Sequence, residues 1–98
     1  MQEVLQIGPS HNERFIWLEA IDRNRNIARR YSVALGQDLF GSAIVEFSWG
    51  RIGTRGQSRR VSFAQLHDAD RFIAKLLQRR AGAPKRIGVA YCEAPQAA

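Results

Sequence analysis

Apolar and polar residues alternate with period two along the first two thirds of the chain, and the period then changes once. In Phe15 to Ile21, Phe15, Trp17 and Ile21 share one face and Ile16, Leu18 and Ala20 the other. That predicts a strand but leaves open which face is the core. Asp22 to Asn26 (D-R-N-R-N) predicts a hairpin turn, and Ile27 to Leu35 a second strand with Tyr31, Val33 and Leu35 in phase on the inner face. Gly36 to Gly41 predicts a tight loop in which Leu39 and Phe40 tuck under the sheet, because exposing both would be costly. Ala43 to Trp49 predicts a third strand, and Gln57 to Ser62 a fourth with Arg59 and Arg60 on opposite faces. From Leu66 to Arg80 the residues Leu66, Ala69, Ile73, Leu76 and Leu77 recur at helical spacing. Asp68 and Asp70 stand near the start of that helix and Arg79 and Arg80 near its end, the sense the helix dipole favours. Gly82 and Pro84 stop it, and Ile87 to Cys92 predicts a last strand.

Short connections between successive strands predict an α+β fold, a twisted antiparallel β-sheet of four to five strands with one α-helix packed on one face. Residues 1–14 read as an N-terminal loop or a short edge strand at Val4 to Ile7, residues 15–92 as the folded domain, and residues 93–98 as a frayed tail.

The stretch Ile44 to Gln57 (I-V-E-F-S-W-G-R-I-G-T-R-G-Q) interrupts this pattern. Trp49 lies in phase with Val45 and Phe47, and Gly50, Gly53 and Gly56 then recur every third residue. Glycine admits φ > 0 and close backbone approach, so Gly50 or Gly53 is expected at positive φ, in a turn that presents Arg51 and Arg55 beside the indole. A flat ring flanked by guanidinium groups can cradle a sugar-phosphate chain, although a tryptophan so placed in an average strand belongs to the core. Trp17 is expected in the core.

Trp49-Gly50-Arg51, with Ile52-Gly53 and Gly56-Gln57, resembles the signature of the WGR domain family. Upstream, Asp22, Asn26, Arg30 and Tyr31, then Gly36-Gln37-Asp38-Leu39-Phe40-Gly41, resemble the small bacterial members, in which an asparagine, an arginine and a tyrosine in this order and an L-F-G turn precede the signature. The resemblance covers roughly residues 15–91. The chain departs from the family where adjacent Gly-Tyr usually closes the C-terminal segment, since here Val89 and Ala90 separate Gly88 from Tyr91. In the DNA-damage-activated poly(ADP-ribose) polymerases the domain grips a DNA break. The resemblance therefore implies Trp49 against a sugar and Arg51 against phosphate or a partner domain.

Charge sharpens the reading. Of the chain's 98 residues and formal net charge of +6, residues 51–80 hold seven arginines and one lysine against two aspartates. Thirteen of the fifteen basic residues are arginine, the side chain suited to bidentate phosphate contact and stacking. The expected nucleic-acid-binding set is Trp49, Gly50, Arg51, Arg55, Gln57, Arg59 and Arg60. Arg71, Lys75 and Arg79 repeat every four residues along the helix as a second basic ridge or a solvated face. The expected partner is DNA or RNA, with a protein-interaction module that docks an acidic partner or a separately encoded enzyme as the alternative.

No enzyme is expected. The chain carries no G-x-S-x-G, Walker or dinucleotide-binding pattern, and the acids form no catalytic spacing. His11, His67 and Cys92 are too scattered for a metal site, and no cofactor is expected. One cysteine suits a reducing compartment, and no apolar run approaches the ~18 to 20 residues of a membrane span. A cytoplasmic, nucleoid-associated monomer is the resulting expectation.

Overall fold

The computed structural model of the protein describes residues 13–94. The edge strand expected at Val4 to Ile7 and the end of the tail lie outside the described residues. Four strands follow the alternating segments: β1 (Arg14–Asp22), β2 (Ile27–Gln37), β3 (Ala43–Arg51) and β4 (Gln57–Phe63). Each pairs antiparallel with its neighbour in sequence, and a two-residue strand β5 (Cys92–Glu93) adds to the outer edge of β1. The sheet order is therefore β4-β3-β2-β1-β5. The helix α1 (Leu66–Ala81) packs on one face against β3 and β4, and a single-turn helix α2 (Ala83–Ile87) follows it.

Register decides what alternation left open in β1. Leu18 stands opposite Tyr31 and Ile16 opposite Val33, so the Ile16, Leu18 and Ala20 face looks toward α1. Ala20 is fully buried there. Trp17, expected in the core, lies on the face of the sheet opposite α1. It is half-buried between the Phe15 ring, 6.5 Å away, and the Arg30 guanidinium, 5.7 Å away, and its indole N–H donates to Glu19 Oε2 at 2.9 Å. The core lies between sheet and helix, where Tyr31, Val33, Leu35, Ala43 and Val45 meet Ala69 and Ile73. Phe72, on the same helix face, turns its edge toward Phe47 at 5.6 Å and meets Phe63 at 5.3 Å. Burial of each large side chain of this kind contributes about 1.5 to 3 kcal/mol.

The β1–β2 turn forms as the sequence predicts. Asp22 accepts from the Asn24 N–H and pairs with Arg25 at 2.8 Å, and Asn26 takes the left-handed conformation at φ 56°. The hydrogen bond from Arg25 holds the Asp22 carboxyl below its ordinary value. The same guanidinium donates to the carbonyls of Ile87 and Gly88, so the turn also caps the end of α2.

Three expectations at the C-terminal end of the domain need correction. Pro84 opens α2 rather than ending helical structure, as proline can in a first turn. Ile87 is accordingly helical, Gly88 is left-handed at φ 79°, and the last strand is confined to Cys92–Glu93. Glu93 thus pairs opposite Leu18 instead of fraying.

Leu39 and Phe40 do not tuck under the sheet, being 98% and 91% exposed. Asp38 Oδ1 accepts from the N–H groups of Phe40 and Ser42, both at 2.9 Å, which closes the β2–β3 turn so tightly that its two central side chains project from the end of the sheet. Leu39→Ser and Phe40→Ser are each expected to leave the Tm within about 4 °C of the parent, the range of surface substitutions. A larger drop in a thermal melt would show that the tip is packed.

Candidate nucleic-acid interface

The loop from Arg51 to Gly56 is short because a buried cation and two glycines hold it closed. Arg30, only 7% exposed, donates from β2 to the Thr54 carbonyl at 2.8 Å, to the Arg55 carbonyl and to Ser48 Oγ at 3.4 Å. A planar guanidinium can hold several acceptors at once, which a lysine ammonium at this position could not do with the same geometry. Gly56 has φ +67°, and a Cβ there would lie 2.2 Å from the Trp49 carbonyl oxygen. Gly53, at φ +89°, meets the expectation of positive φ. Gly50 is close to extended, and what it answers is close approach: its Cβ would sit 2.8 Å from Gly56 Cα.

Arg51 turns back toward the β1–β2 turn. It donates to the Asn26 carbonyl at 3.1 Å and to Asn26 Oδ1 at 2.8 Å, so the signature arginine braces the left-handed residue of that turn. The expectation that it contacts phosphate therefore competes with a structural task for the same guanidinium.

Trp49 sits on the helix side of the sheet, half-buried and stacked on Phe47 with ring centroids 5.9 Å apart. Two grooves open on either side of it. The first, about 450 Å³, lies between the end of β3 and α2 and carries Arg29, Arg51, Arg80 and Arg86. The second, about 480 Å³, lies between β3, β4 and the last turns of α1 and carries Arg59, Arg79 and Arg80. Trp49 and Arg80 line both, and among the described residues no carboxylate lines either. Six guanidinium groups thus surround one half-buried indole, an arrangement that focuses positive potential in two adjoining clefts.

Arg80 is the hinge between the grooves. Its guanidinium carbon lies 3.9 Å from the centroid of the Tyr31 ring and 5.9 Å from that of Tyr91. Tyr31 is 1% exposed, and burial pushes its phenol above the ordinary value despite the opposing charges of Arg80 and Arg79. Arg86 donates to the Arg79 carbonyl and closes the C-terminus of α1.

The structure sorts the expected residues. Trp49, Arg59 and Arg79 come together at the second groove, with Arg51 at the edge of the first. Gln57 stands opposite Trp49 in the β3–β4 register and is exposed. Arg55 projects from the loop, and among the described residues its side chain has no partner. Arg60 points from the opposite face of the sheet and pairs with Glu46 at 3.3 Å, away from the grooves. Of the helix ridge, Arg71 and Lys75 are exposed but lie outside both grooves, and only Arg79 reaches one.

Sequence reasoning passed over Arg29, Arg80 and Arg86. Two of them carried a signal: Arg29 is in phase with Tyr31 and Val33, and Arg80 continues the Ile73, Leu76, Leu77 stripe of α1. A cation on an apolar face is a candidate for a lining residue.

Among the described residues, an open five-stranded antiparallel sheet with one helix across it, and an arginine-rimmed tryptophan at the helix's C-terminal end, defines a small α+β domain. The WGR domain family profile matches residues 14–83, and the chain belongs to the WGR domain family. It is similar to the uncharacterized protein y4dW of Sinorhizobium fredii, 38% identical over 65 residues. That alignment covers 66% of this chain and 32% of y4dW, so the chain spans about a third of that relative's length. No solved structure matches. Among the described residues no helix is long and apolar enough to cross a membrane, and no three His, Cys, Asp or Glu side chains cluster as metal ligands.

Proposed function

We propose that this chain is a non-catalytic nucleic-acid-binding module that takes DNA, at strand ends or breaks, through phosphate and sugar with little base specificity. The observation that carries the reading is the half-buried Trp49 between two grooves faced by six arginines and, among the described residues, no carboxylate. Arginines hold phosphate oxygens, and the indole offers a flat apolar surface to a sugar or base. The resemblance to the DNA-break-gripping domain of the poly(ADP-ribose) polymerases points to the same ligand. A cytoplasmic monomer associated with the nucleoid follows from this reading.

The test is a titration of labelled blunt, nicked and single-stranded DNA at several salt concentrations. With about four phosphates neutralised on duplex DNA, log K should fall with log salt at a slope of roughly −3.6. Trp49→Phe should weaken binding at every salt concentration without changing the slope, because stacking releases no counterions. A flat salt dependence would overturn the reading.

A protein-interaction module is the second reading, favoured by one observation, the projecting Leu39 and Phe40 at the β2–β3 turn. An apolar patch of the partner would then seat on this turn, at the end of the sheet remote from the grooves, and Leu39→Ser with Phe40→Ser would abolish that contact while leaving DNA binding intact.

A further inference from the structure

The second groove differs from a surface that only tracks phosphate. Its walls are Tyr31, Phe47, Trp49, Val61, Phe72 and Leu76, and charge enters through Arg59, Arg79 and Arg80. Phe47 joins the aromatic rings into one wall, stacked on Trp49 at an interplanar angle of 24° and meeting Phe72 edge-on at 62°. A phosphate gains nothing from such a surface, whereas a nucleobase gains a stacking platform. The faces of paired bases are stacked inside a duplex, and a terminal pair at a blunt end exposes one face but is too wide to enter a cleft between strand and helix, so the base that can enter is an unpaired one.

Two polar atoms of residues that line the groove lack partners among the described residues. Tyr31 Oη and Arg80 Nε are both buried without a hydrogen bond, and the Arg80 guanidinium lies over the Tyr31 ring. Buried polar groups are nearly always satisfied, so this pair is available to a ligand acceptor when the Arg80 side chain swings away from the Tyr31 ring. Both atoms can donate, the phenol through O–H and the guanidinium through Nε–H. An acceptor with two lone pairs, such as a base carbonyl oxygen, satisfies both once Arg80 moves off Tyr31.

We propose that this groove holds one unpaired nucleotide. Its base lies on the Phe47 and Trp49 rings with a carbonyl oxygen accepting from Tyr31 Oη and Arg80 Nε, and its phosphate lies between Arg59 and Arg79. This rests on the nucleic-acid reading above and adds the strand state that the site selects: an unpaired end or overhang, where the base is free to leave the stack.

The test compares three probes at one salt concentration: a blunt duplex, the same duplex with a short thymidine overhang, and the same duplex with an abasic overhang of equal length. The two overhangs carry equal phosphate charge and differ only in bases. The protein is expected to bind the thymidine overhang about tenfold or more tightly than the abasic one. Tyr31→Phe should weaken binding to the thymidine overhang about three- to tenfold and leave the abasic overhang unchanged. Its Tm should not fall below the parent's, since the change removes a hydroxyl that has no partner within the fold. Equal affinity for the two overhangs, with both retaining salt dependence, overturns the unpaired-nucleotide site and leaves the phosphate reading standing. Absence of binding to all three probes overturns both. A lower Tm for Tyr31→Phe, or equal weakening on both overhangs, shows that the hydroxyl serves the fold and overturns its assignment to the ligand.

Discussion

Gly56→Ala is expected to destabilise the protein by about 2 to 5 kcal/mol, with a Tm lower by at least about 10 °C. Two costs act at once. The residue sits at φ +67°, where a side chain is strained, and the new Cβ would stand 2.2 Å from the Trp49 carbonyl oxygen and 2.7 Å from an Arg30 guanidinium nitrogen. The guanidinium could shift, but the Trp49 carbonyl is backbone at the end of β3 and cannot move without carrying the indole with it. Gly53→Ala is the control. Its φ of +89° is also positive, yet nothing lies within 4 Å of the added methyl, so only the conformational cost of about 1 to 2 kcal/mol remains. Thermal or denaturant melts of the two variants decide it: equal losses would mean that the closeness of Gly56 to Trp49 carries no weight.

The second large effect is electrostatic. Arg59→Ala with Arg79→Ala should flatten the salt dependence of duplex binding from a slope of roughly −3.6 to roughly −1.8, and Arg60→Ala should leave it unchanged. Arg59 and Arg60 are adjacent in sequence and chemically identical, but strand alternation sends them to opposite faces. Arg59 lines the groove beside Trp49, whereas Arg60 pairs with Glu46 on the face of the sheet opposite α1. Among the described residues no carboxylate stands against Arg59 or Arg79, so both are available to phosphate. An effect of Arg60→Ala equal to that of Arg59→Ala would place DNA on the face opposite α1. Arg51→Ala is expected to act differently, loosening the β1–β2 turn through Asn26.

Of the candidate site, the sequence showed the tryptophan, the glycines and the excess of arginine, but it misjudged how the arginines divide. Proximity in sequence suggested that Arg51, Arg55, Arg59 and Arg60 act together. Of these four, Arg51 and Arg59 line the grooves beside Trp49, and they line different ones on its two sides. The arginines that complete those grooves come from β2, from the last turn of α1 and from α2. Arg29, Arg80 and Arg86 lie twenty or more positions from the W-G-R stretch, and no local pattern connects them to it. The loop's closure by Arg30 was invisible for the same reason, since its carbonyl acceptors at Thr54 and Arg55 are set by the β2–β3 register.

What the sequence determined alone is what depends on local periodicity. Strands β1 to β4 and the span of α1 follow from apolar spacings of two and 3.6, because side-chain direction along a strand or helix is fixed by backbone geometry whatever the partner. The turn at Asp22 to Asn26 and the positive φ of Gly53 follow from chemistry within a few residues. Tertiary structure alone decided which face of β1 is buried, because Phe15, Trp17 and Ile21 are as apolar as Ile16, Leu18 and Ala20, and the choice rests on where α1 docks. It also decided the fate of Leu39 and Phe40. Burial requires a surface to pack against, and the β2–β3 turn carries these two side chains past the end of the layer that would have covered them.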